Sequence, residues 1–352
     1  MQMLYLGMHM YKLNTAVWEI TLKCNIHCLH CGSSADIHKR PKELTTSEAL
    51  DLVEQLSDLK CDRVVLSGGE PFLRKDWAVL AMRIRDLGMR VSFISNGYVV
   101  NEDIVDILRV IQPAGISFSL DGVCEETHDY ISGRKGVFKR CVRALNLTSN
   151  AGLYSSAVTS VHKKNLGELN DILKILLDNG VCAWQIQTAT PQGRMPRELA
   201  MNEDEYYELA KFVVKARGEY GNLIRILPAD CIGYYSTLDK YFERTAWRGC
   251  SAGMGTIGIE SDGAIKGCLS LHGDDFIEGN IREQPLKEIW ESKDNFKYNR
   301  RFSPDQLRGI CKNCKYGSVC RGGCSEKSMS FTGTRYGSPY CLYNYEKNHG
   351  II

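Results

Sequence analysis

The stretch Val17-Trp18-Glu19-Ile20-Thr21-Leu22-Lys23-Cys24-Asn25-Ile26-His27-Cys28-Leu29-His30-Cys31 runs from a β-prone segment straight into three closely spaced cysteines. Residues 17–21 are predicted as a strand, and Cys24-x3-Cys28-x2-Cys31 sets three thiolates on the loop that follows. Thiolates select zinc or iron–sulfur clusters over hard cations. With His27 or His30 as a fourth ligand the triad would make a closed Cys3His zinc site. A cubane 4Fe–4S cluster held by three cysteines would instead keep one iron open to a substrate or cofactor.

Outward from this loop, strand and helix alternate. Strands are predicted at 64–67, 91–95, 116–120, 155–161 and 184–188. Between them lie helical patterns at 77–87, 102–111, 138–150 and 166–177. An earlier helix opens on the capping box Thr45-Thr46-Ser47-Glu48 and carries Ala49, Leu52, Val53, Leu56 and Leu59 on one face. About six βα units predict an α/β fold with a parallel sheet, open or curved into a partial TIM-like (β/α)6 barrel. Ligands bind at the carboxyl ends of strands in such sheets. Gly68-Gly69-Glu70-Pro71, Ser95-Asn96-Gly97 and Asp121-Gly122 each follow a strand as the cysteine loop does, which implies one shared site.

The alternation lapses after residue 200, where 202–217 reads as a helix opened by Asn202 and Glu205. From Cys250 onward glycines and cysteines dominate, and so small a supply of core residues calls for inorganic staples. The expected domains are a barrel at 14–200, a helical bridge at 201–245 and a cysteine-rich domain at 246–345.

Forty-four Lys+Arg against 42 Asp+Glu leave a net charge of +2, which gives no electrostatic case for a nucleic-acid partner. No apolar run is long enough for a membrane span. The start, MQMLYLGMHMYK, lacks a basic n-region and a small-residue cleavage site, so the chain is expected to be cytoplasmic. Fifteen cysteines in that setting point to metal ligation rather than disulfides.

Seven of them form Cys250-x12-Gly263-x4-Cys268, then Cys311-x2-Cys314-x5-Cys320-x3-Cys324, then Cys341. That is too many thiolates for one tetrahedral zinc and too few for two. Residues 21–31 resemble the cluster loop of the radical S-adenosylmethionine (SAM) superfamily, and the seven-cysteine pattern resembles its C-terminal SPASM domain. The resemblance implies that Cys24, Cys28 and Cys31 hold a 4Fe–4S cluster whose open iron binds SAM. Reductive cleavage to a 5′-deoxyadenosyl radical would then start hydrogen abstraction. It also implies SAM contacts at Gly68, Gly69, Glu70, Ser95, Asn96, Asp121 and Arg134. His30 stands where the family usually has an aromatic residue, and its imidazole would pack on adenine or bond near the cluster. Without the resemblance, Asn96-Gly97 and Asp121-Gly122 are turns and Arg134 a solvated charge. Gln185, Gln187 and Arg194, near the last barrel strand, are further candidates to line the pocket.

Two auxiliary 4Fe–4S clusters are implied as well: an outer one on Cys311, Cys314, Cys320 and Cys341, and an inner one on Cys250, Cys268 and Cys324. The inner set is one ligand short. Either Cys231 completes it or an iron stays open to water or substrate. Cys61, Cys124, Cys141 and Cys182 read as small buried apolar residues.

SPASM enzymes mostly modify peptide or protein side chains by cross-linking, epimerisation or oxidation, so a maturase of a ribosomally made peptide is expected. A flavodoxin- or ferredoxin-type donor would supply its electrons. With some two dozen residues before Cys24, leader recognition would fall to a separate protein or to the barrel face. Cys268 is followed by Leu269-Ser270-Leu271 and not by the acidic base of sulfatase-maturing enzymes, which argues against that activity. The alternatives are a radical SAM enzyme acting on a small molecule or tetrapyrrole, and a non-catalytic metal-binding module.

Overall fold

The computed structural model describes residues 11–35, 42–242 and 247–352. The first ten residues, read for a targeting signal, and the boundary expected at 245–246 lie outside the described residues. Seven strands follow one another in parallel: β1 (Thr15–Thr21), β2 (Arg63–Gly68), β3 (Arg90–Ser95), β4 (Gly115–Ser119), β5 (Ser155–Val161), β6 (Ala183–Thr188) and β7 (Arg225–Pro228). Three short strands extend the sheet on the other side of β1: β8 (Thr256–Ile259), β9 (Ala264–Lys266) and β10 (Ile277–Asn280). Among the described residues the order β10-β9-β8-β1-β2-β3-β4-β5-β6-β7 does not close, so the barrel is partial.

The helices sit where a 3.6-residue apolar period turns one face to the sheet. They are α1 (Thr46–Asp58), α2 (Trp77–Asp86), α3 (Glu102–Ile111), α4 (Glu125–Ser132), α5 (Val137–Asn150), α6 (Leu169–Asp178) and α7 (Glu203–Tyr220). The expected capping boxes form at Thr45 with Glu48 and at Asn202 with Glu205. Trp18, Phe93, Phe118 and Trp184 are fully buried between sheet and helices and anchor one continuous core.

The segment expected to be a helical bridge also contains β7, which pairs with β6 at the sheet edge. Its closing Pro228 has no N–H to offer a further strand, which an edge position tolerates. Strands from both sides of the expected domain boundary share the sheet, because β8 pairs in parallel with β1 from Thr15↔Thr256 to Trp18↔Ile259. Ile257, Ile259, Leu286, Ile289 and Trp290 belong to the barrel's own core. The cysteine-rich remainder has only small apolar clusters, one around Leu271 and Tyr298 and one around Leu307 and Tyr336. That matches its expected shortage of core residues. No helix among the described residues is long and apolar enough to cross a membrane.

Candidate active site and metal centres

The cysteine loop leaves β1 and is fastened on two sides. Its backbone donates from His27 to Ser132 O at 3.1 Å and from Leu29 to Ile131 O at 2.8 Å, at the end of α4. It also accepts at Thr21 O from Gly69 N and at Lys23 O from Glu70 N, both at 2.8 Å. That approach demands glycine: a Cβ on Gly69 would lie 2.3 Å from Lys23 O, and Gly68 sits at φ +142°. Arg194 clamps the far end, with Nε 2.9 Å from Cys28 O and a guanidinium nitrogen 3.2 Å from Ala35 O.

Cys24, Cys28 and Cys31 line one cavity of about 310 Å³ together with Gly68, Gly69, Ser95, Asn96, Asp121 and His30. Gln185, Gln187 and Arg194 reach the same space. Burial pushes the Cys24 thiol up to about 11 and the Cys28 thiol well above its ordinary value. Thiolates kept from water in this way need positive charge beside them, which a metal cluster supplies, so the loop fits the group that its spacing implies. Asn96 Nδ2 stands 3.8 Å from Cys24 Sγ, and Ala35 N donates to Cys31 Sγ at 3.4 Å.

Two expected contacts are placed elsewhere. Glu70 does not line the cavity. Its carboxylate is fully buried and accepts from Ser95 Oγ at 2.9 Å, Asn96 N at 2.9 Å and Phe72 N at 3.4 Å. It therefore ties the end of β2 to the end of β3 and leaves the approach to ligand to the backbone of Gly68 and Gly69. Burial pushes this carboxyl up to about 7 against those hydrogen bonds. Arg134 bonds to Asn25 O, stacks 4.0 Å over the Tyr98 ring and stays outside the cavity. Its side chain braces the loop from the solvent side.

His30 meets Asp121 Oδ2 through Nε2 at 3.3 Å, and Asp121 Oδ1 accepts from Ser160 N at 2.7 Å. Burial would raise the Asp121 carboxyl, but the charge and hydrogen bond of His30 outweigh it and hold it below its ordinary value. The other ring nitrogen of His30, Nδ1, is buried with no hydrogen-bond partner. Among the described residues no three His, Cys, Asp or Glu side chains gather as for a single metal ion.

A second cavity of about 330 Å³ adjoins the first and shares His30, Cys31, Gly32, Ser160 and Gln187 with it. Its far wall carries Cys231, Cys268 and Cys324, with Thr188, Thr190, Gln192 and Glu326 between. Cys250 packs beside Cys268 against the Leu271–Tyr298 cluster. Glu326 went unread in the sequence, where it is one polar residue in a glycine- and cysteine-rich run. It is half-buried, accepts from Thr190 Oγ1 and from Gln192 Nε2 at 2.7 Å, and desolvation raises its carboxyl. Helix α4 was also missed, and His128 on it accepts from Asp121 N at 3.0 Å.

Cys311, Cys314, Cys320 and Cys341 all line a third cavity of about 280 Å³ walled by Tyr234, Tyr235, Tyr316 and Tyr343. Tyr235 and Tyr316 stack there at 4.3 Å. Of the cysteines read as buried and apolar, Cys61 and Cys141 are buried, Cys124 is half-buried and Cys182 is exposed. Cys182 precedes β6 at the end of a turn, where the strand's alternation has not begun.

A model of the radical SAM superfamily matches residues 18–176, and one of the SPASM iron–sulfur cluster-binding domain matches 250–315. The AdoMet-dependent heme synthase of Methanosarcina barkeri is 31% identical over 339 residues, which span 93% of this chain and 95% of that protein. The chain belongs to the radical SAM superfamily. This radical SAM protein is also 28% identical to the mycofactocin maturase MftC of Mycolicibacterium smegmatis, over 92% of its length and 80% of the relative's. Streptococcus suis SuiB bound to S-adenosylmethionine shares its fold, with a TM-score of 0.75 at 15% identity over 93% of this chain and 76% of that one. The cofactors of this radical SAM enzyme are 4Fe–4S clusters and SAM.

Proposed function

We propose that the enzyme abstracts a hydrogen atom from a peptide or protein side chain seated between its first cluster site and its inner auxiliary site. When bound, the first cluster and SAM supply one-electron reductive chemistry that ends in hydrogen abstraction. On this reading Cys24, Cys28 and Cys31 hold the first cluster. Cys250, Cys268 and Cys324 hold the inner auxiliary cluster, and Cys311, Cys314, Cys320 and Cys341 the outer one.

The lining of the chamber carries the proposal. Gln185, Gln187, Gln192, Asn96, Ser160 and Thr190 offer amide and hydroxyl groups that match a peptide backbone. The Arg194 guanidinium is already held by two carbonyls. Gly68 and Gly69 bring backbone close to SAM, while Ser95, Asn96 and the His30–Asp121 pair shape its cradle. Exposed Lys312, Lys315 and Lys347 around the outer cavity suit an acidic electron donor of flavodoxin or ferredoxin type.

A second reading, a tetrapyrrole substrate, is favoured by the 31% identity to an AdoMet-dependent heme synthase. Such a macrocycle asks for cations for its carboxylates, and the Lys and Arg side chains lining the two cavities come down to Arg194, already held by two carbonyls. The test gives the reconstituted enzyme SAM, reductant and either iron-coproporphyrin III or the short peptide encoded nearest to it. The proposal expects SAM cleavage coupled to hydrogen loss or inversion in the peptide, and background cleavage with the porphyrin. Porphyrin conversion coupled to SAM cleavage would reverse the order of the two readings.

A further inference from the structure

Cys231 sits in a short turn after β7, on the same rim of the sheet as the Cys24 loop. It is 7% exposed, and a buried cysteine at a strand end is ordinarily packing. Three observations set it apart. It lines the chamber beside Cys268 and Cys324. Its sulfur accepts a backbone N–H from Thr188 at 3.3 Å, the kind of hydrogen bond that steadies a ligand thiolate. Its carbonyl is pinned by Tyr206 Oη at 2.9 Å and Lys327 Nζ at 3.3 Å, which fixes the turn.

Lys327 is the independent sign of a charge at this place. It is 1% exposed, yet its hydrogen bonds go to neutral carbonyls, those of Cys231 and of Tyr340 at 3.2 Å. Its ammonium lies 3.6 Å from the Tyr206 ring centroid. The ionisable groups around it are Cys231, Cys341, Cys324 and Glu326. An ammonium buried this fully requires compensating negative charge. Cysteine-ligated clusters on either side would provide it.

We propose that Cys231 is the fourth protein ligand of the inner auxiliary cluster, closing a set with Cys250, Cys268 and Cys324, and that Lys327 balances the cluster charge from below. The assignment rests on the three-cluster reading above. It leaves no inner iron open to substrate, so the inner cluster passes electrons while Gln192, Glu326 and their neighbours position the substrate. The one open iron is then the one at the Cys24, Cys28 and Cys31 site.

The test uses the full chain, reconstituted anaerobically, saturated with SAM to cover that open iron, exposed to 13C-cyanide, then reduced and frozen before the SAM is consumed. Wild type is expected to show no 13C hyperfine coupling. Cys231→Ala is expected to show coupling at a second cluster, or to lose about 4 of about 12 iron atoms. Coupling in the SAM-saturated wild type would overturn the assignment. So would a Cys231→Ala protein that matches wild type in iron content, midpoint potentials and coupling. If that variant does not fold, Cys231→Ser is read instead, with a shifted midpoint potential expected, and a Cys231→Ser protein identical to wild type would overturn the assignment. A wild type holding about 8 iron atoms that loses none in Cys268→Ala would show that the inner cluster itself is absent, and the three-cluster reading would fall together with the assignment.

Discussion

At Glu70 a carboxylate with no water contact is held by Ser95 Oγ and by the Asn96 N–H, both at 2.9 Å. Its folded pKa of about 7 lies above the ordinary carboxylate value of about 4.3. The folded state therefore binds this proton more tightly than the unfolded chain does. The stability that it contributes is fully present below about pH 4.3 and is lost as pH rises through about 7, with a span of at most about 4 kcal/mol. Glu70→Gln cannot ionise, so its stability relative to wild type should improve between pH 4.5 and 7.5, as read by thermal unfolding at both values. An unchanged gap would contradict the assignment of that charge. The Gly68-Gly69-Glu70 string was legible in the sequence as a strand-end signature. The direction of the Glu70 side chain was not, because it depends on how β3 ends beside β2.

Among the elements, the six strands predicted by apolar runs are all present, with ends shifted by a residue or two. Strand β7 was hidden because four residues ending in proline carry little pattern. Helix α4 was hidden for a different reason: its buried face is His128, Asp129, Ile131 and Ser132, mostly polar, and an apolar period cannot reveal it. The β8–β1 pairing was illegible because composition changes near residue 245 while the hydrogen-bonded sheet takes strands from both sides of that point. The fold makes this seam part of the barrel core, so Ile257→Ala should cost about 2–5 kcal/mol, in the range of other large-to-small core changes. Chemical denaturation of the reconstituted protein would measure it. A loss near zero would mean that the C-terminal region packs independently of the barrel.

At the scale of the whole molecule, the cysteine spacing carried most of the function and the geometry added its arrangement. The ten family-matched cysteines were legible because thiolate spacing is local along the chain. Their division into inner and outer sets came from the resemblance, whereas the chamber that Cys31 and Cys324 both line exists only after the barrel forms. The cavity lined by Cys24, Cys28 and Cys31 adjoins the one lined by Cys231, Cys268 and Cys324, and Cys311, Cys314, Cys320 and Cys341 line a third. The central claim is a radical SAM enzyme whose first cluster is separable from its auxiliary pair. Its most direct test compares wild type with a Cys24→Ala/Cys28→Ala/Cys31→Ala variant after anaerobic reconstitution, by iron content and by deoxyadenosine formed from SAM under reductant. Wild type should hold about 12 iron atoms and cleave SAM, and the variant should keep about 8 and cleave none. SAM cleavage that survives in the variant, or zinc in place of iron in the wild type, would contradict the account.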